Sequence, residues 1–155
     1  MFLKILLFVF VFFSMSLNIK AQECFEYFRS ACIPNESKFT YAENNASVSF
    51  LFSSGDMREI PFSLVNGIDY RITICADKKF EDIIKLIIRT QEGKEIYNNS
   101  KQNFNLNLEF ACKKSQDVML ELYAPEPNVG VSDTVYFEGC IGILIEEMVS
   151  VKTGF

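Results

Sequence analysis

The sequence predicts an all-β protein: an antiparallel β-sandwich or jelly roll of about eight or nine strands, with a short disulfide-tethered N-terminal segment. Three observations carry this expectation. Apolar and polar residues alternate with a period of two from residue 46 almost to the C-terminus, turn residues separate the alternating runs, and five cysteines are spread along the chain. The organising stretch is Gly67–Asp77. It opens on a turn glycine, puts Tyr70, Ile72 and Ile74 on one face and Arg71, Thr73 and Cys75 on the other, and ends at an aspartate. It reads as a central strand.

The chain begins with a segment read as an export signal. Lys4 supplies a positive start, Ile5–Leu17 is an apolar run too short to span a bilayer, and Ala21 offers a small residue for cleavage before Gln22. Lipid attachment at Cys24 is disfavoured, because Ala21-Gln22-Glu23 lacks the small residues that such a cysteine needs before it. Residues 1–21 are therefore expected to be a signal peptide and residues 22–155 a single domain with no membrane insertion after cleavage. A chain of that length buries roughly two-thirds of its unfolded surface.

Charge and composition narrow the chemistry. The formal net charge is −5, and it falls to −7 once Lys4 and Lys20 leave with the signal. This balance disfavours nucleic acid and anionic lipid as partners. The chain has no histidine, which removes Ser-His-Asp and Cys-His catalysis and the commonest metal ligand. It has no tryptophan either, which weakens an aromatic platform for sugars.

Glu23–Pro34 carries Cys24, Phe25, Phe28 and Cys32 at a spacing that suits one short helical turn with a sticky face. Such a short piece does not hold its own structure and must lie on the main body. Val48, Phe50 and Phe52 mark the first strand, and Ser53-Ser54-Gly55-Asp56 turns it. Arg58–Leu64 is the second, with Pro61 pointing to an edge or a bulge. Asn66-Gly67 is a strong turn dipeptide before the organising strand. Phe80–Thr90 is rich enough in Ile to read as a strand buried on both sides. Gln91–Lys94 turns the chain into the short strand Glu95–Tyr97, and Asn98–Lys101 turns it again. Asn103–Phe110 shows the strictest alternation, with Phe104, Leu106, Leu108 and Phe110 against Asn103, Asn105, Asn107 and Glu109. Val118–Tyr123 repeats it. A Pro-rich loop around Pro125–Gly130 follows. Val135–Phe137 and Ile141–Glu146 close the domain as two strands, divided at Gly139-Cys140.

Several of these pieces occur together in one pattern: Gly67-x-x-Tyr70-Arg71-Ile72-x-Ile74-Cys75, then Ile96-Tyr97-Asn98-Asn99-Ser100, the Phe104–Phe110 alternation, and Gly139-Cys140-Ile141-Gly142-Ile143-Leu144-Ile145, with Cys24 and Cys32 upstream. The set resembles a family of small exported Gram-negative bacterial β-sandwich proteins, distantly similar to the pre-peptidase C-terminal domains of secreted proteases. The resemblance implies the fold and an exported location (periplasmic, cell-surface or secreted) and no particular activity. Cys112 is additional to its pattern.

Export implies an oxidising compartment, so the cysteines read as bridges. Strand parity points Cys75 and Cys140 out of the sandwich and Cys112 inward with Phe110. Two schemes stand: Cys24 and Cys32 bridged to Cys75 and Cys140, clamping the N-terminal segment over the outer sheet face, or Cys24–Cys32 with Cys75–Cys140. In both, Cys112 is the spare thiol, with no histidine to activate it.

No residue set amounts to a catalytic site. Glu109, Glu121, Glu138, Glu146 and Glu147 have the spacing of a wet sheet face rather than of a hydrolytic pair. Asp77, Glu81 and Asp82 form a small acidic group that could bind Ca²⁺ with loop carbonyls, although Lys78 and Lys79 intrude and the spacing matches no defined calcium loop. Three Asn-x-Ser matches (Asn35, Asn45, Asn98) and Asp133-Thr134-Val135 resemble glycan acceptors at about chance frequency. The Asn103/Asn105/Asn107 stripe is the best surface for a polar partner such as a glycan. The functional expectation is an exported, non-catalytic binding or accessory module of the cell envelope, with an envelope protein or glycan as partner and no cofactor. The alternative is a secreted hydrolase using carboxylates or calcium.

Overall fold

A computed structural model describes residues 24–32, 41–80, 83–126 and 136–149, leaving out the side chain of Val149. The expected signal peptide, the Asn35 and Asp133 motifs, and Glu81 and Asp82 of the acidic group lie outside the described residues.

The described chain runs α1 (Tyr27–Ala31), β1 (Ala42–Glu43), β2 (Val48–Ser53), β3 (Met57–Leu64), β4 (Ile68–Ala76), β5 (Lys85–Thr90), β6 (Glu95–Asn98), β7 (Asn107–Ala111), β8 (Gln116–Tyr123) and β9 (Glu138–Val149). Two antiparallel sheets form a sandwich. The first has the order β1-β9-β4-β7, with β2 also paired to β9; the second has the order β3-β8-β5-β6. The organising stretch is indeed central: β4 lies between β9 and β7.

Period-two burial builds the core from both inner faces. Tyr70, Ile72 and Ile74 of β4 and Ile141, Ile143 and Ile145 of β9 face Val118, Leu120 and Leu122 of β8 and Leu86 and Ile88 of β5. Glycines do the turning where L-residues resist it, Gly55, Gly67 and Gly93 all having positive φ near 82°: Gly93 closes the β5–β6 hairpin, whereas Gly55 and Gly67 turn the chain from one sheet to the other, into and out of β3. Pro61 sits exposed on β3, an edge of the second sheet, where its missing N–H costs no ladder bond within the sandwich.

The structure corrects four boundaries. Phe80–Thr90 is a strand only from Lys85. Phe80 and Ile84 plug the end of the core, Phe80 meeting Phe52 and Phe137 edge-on, while Ile83 is 38% exposed. Asn103–Phe110 is a strand only from Asn107. A 3-10 turn covers Asn99–Gln102, and Asn103 and Phe104 both have φ of 53°. The reason is a crossover: the chain must pass from the second sheet to the first here. Asn99, fully buried, holds that corner by accepting from the Leu86 N–H and donating to the Ile84 carbonyl. Tyr136 and Phe137 precede β9 rather than forming a strand, and β9 then runs unbroken through Gly139-Cys140.

The two glycines of β9 are there for close approach rather than for turning. A Cβ on Gly142 would lie 2.7 Å from the Phe28 Cα and 2.9 Å from the Cys75 Sγ, and one on Gly139 would lie 2.5 Å from the Asp77 Oδ2. Glycine at 142 lets α1 sit directly on the strand.

Candidate functional site

The outer face of the first sheet is covered. Cys24–Cys140 and Cys32–Cys75 bridge α1 and its flanks to β9 and β4, which is the clamp scheme of the two left open by parity. Phe28 and Cys32 bury against Leu144 beneath. The Phe28 N–H donates to the Ser49 hydroxyl at 2.8 Å, tying α1 to β2 as well. Asp77 completes the attachment: its Oδ2 accepts from the Cys140 N–H at 2.8 Å and its Oδ1 from the Tyr27 hydroxyl at 3.3 Å. Its carboxylate therefore braces the clamp, which leaves it poorly available to a cation. Among the described residues no three His, Cys, Asp or Glu side chains converge to hold a metal. Cys112 is buried with the core and its Sγ lies 3.1 Å from the Lys114 carbonyl.

The carboxylates read as a wet face divide. Glu109 and Glu138 are exposed, whereas Glu146 and Glu121 are only 6% and 8% exposed. Antiparallel register sets Arg71 opposite Glu146, and the guanidinium grips that carboxylate with two bonds, Nε–Oε2 at 2.6 Å and Nη2–Oε1 at 2.8 Å. The Tyr41 ring stacks over the guanidinium at 4.4 Å. The Glu146 contact raises the Arg71 pKa further, and burial raises that of Tyr41. On the second sheet Glu121 accepts from the Arg89 Nε at 3.1 Å and from the Tyr123 hydroxyl at 2.7 Å, and this bond to the carboxylate raises the Tyr123 pKa. Both buried acids are committed to fixed partners.

The three asparagines read as a stripe do not share a strand face. Asn103 is in the left-handed region, Asn105 is in the crossover, and only Asn107 belongs to β7. Asn105 Oδ1 accepts from the Asn107 N–H, and Asn107 Oδ1 from the Thr73 hydroxyl. The Asn98 acceptor motif is similarly engaged, since its Oδ1 accepts from both the N–H and the hydroxyl of Ser100.

Besides a recess of about 310 Å³ where α1 meets Glu43 and Ser47–Ser49, the described residues form two further concavities. One is a shallow depression of about 740 Å³ on the outer face of the second sheet. Its polar side chains are largely bonded to one another: Ser63 to Asp117 at 2.6 Å, Gln91 to Asp117 at 3.3 Å, and Arg89 to Glu121. The other is an apolar cleft of about 210 Å³ between the sheets. Ile72, Ile88 and Leu120 form its buried wall, while Ile96 (43% exposed), Tyr97 and Phe110 stand at its rim on the edge strands β6 and β7. These edges belong to different sheets and do not pair. Left sealed and dry, a void of this size would forfeit about 5 kcal/mol of packing at ~24 cal/mol per Å³. Burial raises the Tyr97 pKa, so its phenol is neutral at physiological pH, and its hydroxyl lies 3.4 Å from Gln102 Oε1. Sequence reading placed these residues in the core without distinguishing them, because period-two alternation is the same whether a facing side chain fills the space or stops short of it. A comparison with family models, curated proteins and solved structures finds no match to this chain.

Proposed function

We propose that this chain is an exported, non-catalytic β-sandwich module of the cell envelope that holds a ligand in the cleft between its sheets. The cleft itself carries the reading: it is an apolar recess walled by both sheets and open at unpaired edges, the form small-molecule sites commonly take. The disulfide clamp is compatible with an oxidising compartment. Among the described residues no helix is long and apolar enough to cross a membrane. The hydrolase alternative is weakened because Glu121 and Glu146 are each engaged by an arginine and Asp77 by the clamp.

Mass spectrometry of protein purified from an exporting cell tests this, run under native and then denaturing conditions. The expected result is loss of residues 1–21, two disulfides with one free thiol, and a small adduct that leaves on unfolding. A retained N-terminus or five free thiols would overturn the export reading. A bare native mass, unchanged when the protein is incubated with envelope extract, would overturn the ligand reading.

A further inference from the structure

The outer edge of β7 leaves backbone groups open. In an antiparallel ladder, residues that exchange both backbone bonds with their partner alternate with residues whose N–H and C=O point away from it. The Ile74 N–H donates to the Leu106 carbonyl at 2.8 Å and the Cys112 N–H to the Ile68 carbonyl at 2.9 Å, with an unbroken register between them. The even-numbered residues of β7 therefore bond to β4, and Asn107, Glu109 and Ala111 turn their backbone groups outward. The Asn107 N–H is taken by Asn105 Oδ1 at 3.0 Å. Glu109 and Ala111 are exposed, and their outward groups meet no strand among the described residues.

The other edges are blunted, as the edges of soluble sheets usually are. β3 carries Pro61. β6 is four residues long, and its register against β5 shifts between Ile88 and Arg89. β1 has two residues, and β2 is tied to α1 through Ser49 while Asp56 caps the Ser53 N–H. β7 has no proline and no register shift against β4. It carries instead two outer-face charges of opposite sign. Glu109 meets Arg71 only at 3.8 Å, and Lys113 is exposed, at the same parity just beyond the strand.

These charges select the partner. A second copy pairing antiparallel with β7 sets odd residues opposite odd residues about a two-fold axis. An axis at Glu109 opposes that carboxylate to itself, which is destabilising. An axis nearer Asn107 meets the capped N–H, and an axis at Phe110 sets Glu109 against Ala111 with no charge opposite. An axis at Ala111 sets a small side chain against itself and Glu109 against Lys113 of the partner, twice by symmetry. We propose that β7 is the interface for a second copy of this chain, paired antiparallel about Ala111 so that the first sheet continues from one protomer into the other. On the inner side, the half-buried Phe110 of each copy then lies beside Cys112 of the other. This interface rests on the strand edge and does not require a ligand in the cleft.

The test is sedimentation and amide hydrogen exchange of the disulfide-intact protein over a wide concentration range. The expected result is a dimer at high concentration, with the Glu109 and Ala111 amides gaining protection as it forms. Glu109→Lys opposes like charges and is expected to weaken the dimer about tenfold, because symmetry repeats the pair. Glu109→Lys with Lys113→Glu is expected to restore it. Both variants alter the Arg71 contact equally, so the rescue reports the contact between copies. Ala111→Pro removes an outward N–H without costing a bond to β4 and is expected to abolish the dimer. A monomer at every concentration, a dimer whose Glu109 and Ala111 amides exchange as before, or a double variant as weak as the single one would overturn the proposal. Protection of these amides that appears with envelope extract, and not on concentrating the protein alone, would give the edge to a different chain and likewise overturn it.

Discussion

Arg71 and Glu146 lie 75 positions apart in the chain and face each other across adjacent strands. Each could be assigned to the outer face from parity alone. Their pairing could not, because it depends on the register of β4 against β9, and nothing local to either strand encodes that. Burial changes what such a pair is worth. Removing one partner strands the other as a buried charge, at a cost of about 3–5 kcal/mol, whereas replacing both with apolar residues is often close to neutral. Arg71→Met should therefore lower the urea midpoint sharply, and Arg71→Met with Glu146→Leu should recover most of the loss. If Arg71→Met changed the midpoint no more than an exposed ion pair would, by under about 1 kcal/mol, the pair would be solvated rather than buried. The same register brings Gly142 opposite Cys75, and there the absence of a side chain lets α1 touch the sheet.

At the scale of elements, α1 is the piece that depends most on the rest. Five residues cannot sustain a helix in water, and Glu26 before it has a positive φ with no side-chain cap. Its position comes from the two bridges, whose ends are 116 and 43 residues apart, together with Phe28 on Leu144. Each bridge is worth about 2–4 kcal/mol. A variant with Cys24, Cys32, Cys75 and Cys140 all changed to Ser should melt at markedly lower temperature. Amide exchange should show α1 unprotected while β4 and β8 keep their protection. Protection of α1 persisting without the bridges would mean that packing alone holds it. Alternation identified the strand directions but overextended β7, because Asn103–Leu106 alternates equally well while crossing between sheets. It also divided β9 at Gly139, a glycine that serves close approach to Asp77, which braces the clamp, rather than a turn.

For the molecule as a whole, the pH response follows from tyrosines. Burial raises the pKa of Tyr41, Tyr70 and Tyr97, and the bond to Glu121 raises that of Tyr123, all above the ordinary value of about 10. In the window above that value the folded chain keeps phenolic protons that the unfolded chain has lost. Stability is therefore fully present below about pH 10 and falls as pH rises through the folded values. A set of melts across alkaline pH, read alongside tyrosinate absorbance, should show the midpoint falling as the exposed phenols ionise, with the buried ones following only on unfolding. Ionisation of every tyrosine at the ordinary pH with no loss of stability would contradict their burial.

The sequence by itself determined the fold class, the central place of Ile68–Ala76, the turns at Gly55, Gly67 and Gly93, an edge or a bulge at Pro61, and the outward cysteines against an inward Cys112, because each follows from local periodicity and backbone preference. Tertiary structure alone decided which cysteines pair, which carboxylates are buried, where the crossover turns, and that the core leaves a cleft between β6 and β7. These depend on register and on the fit of two faces across the sandwich. Alternation gives the direction of a side chain but does not say what lies opposite it.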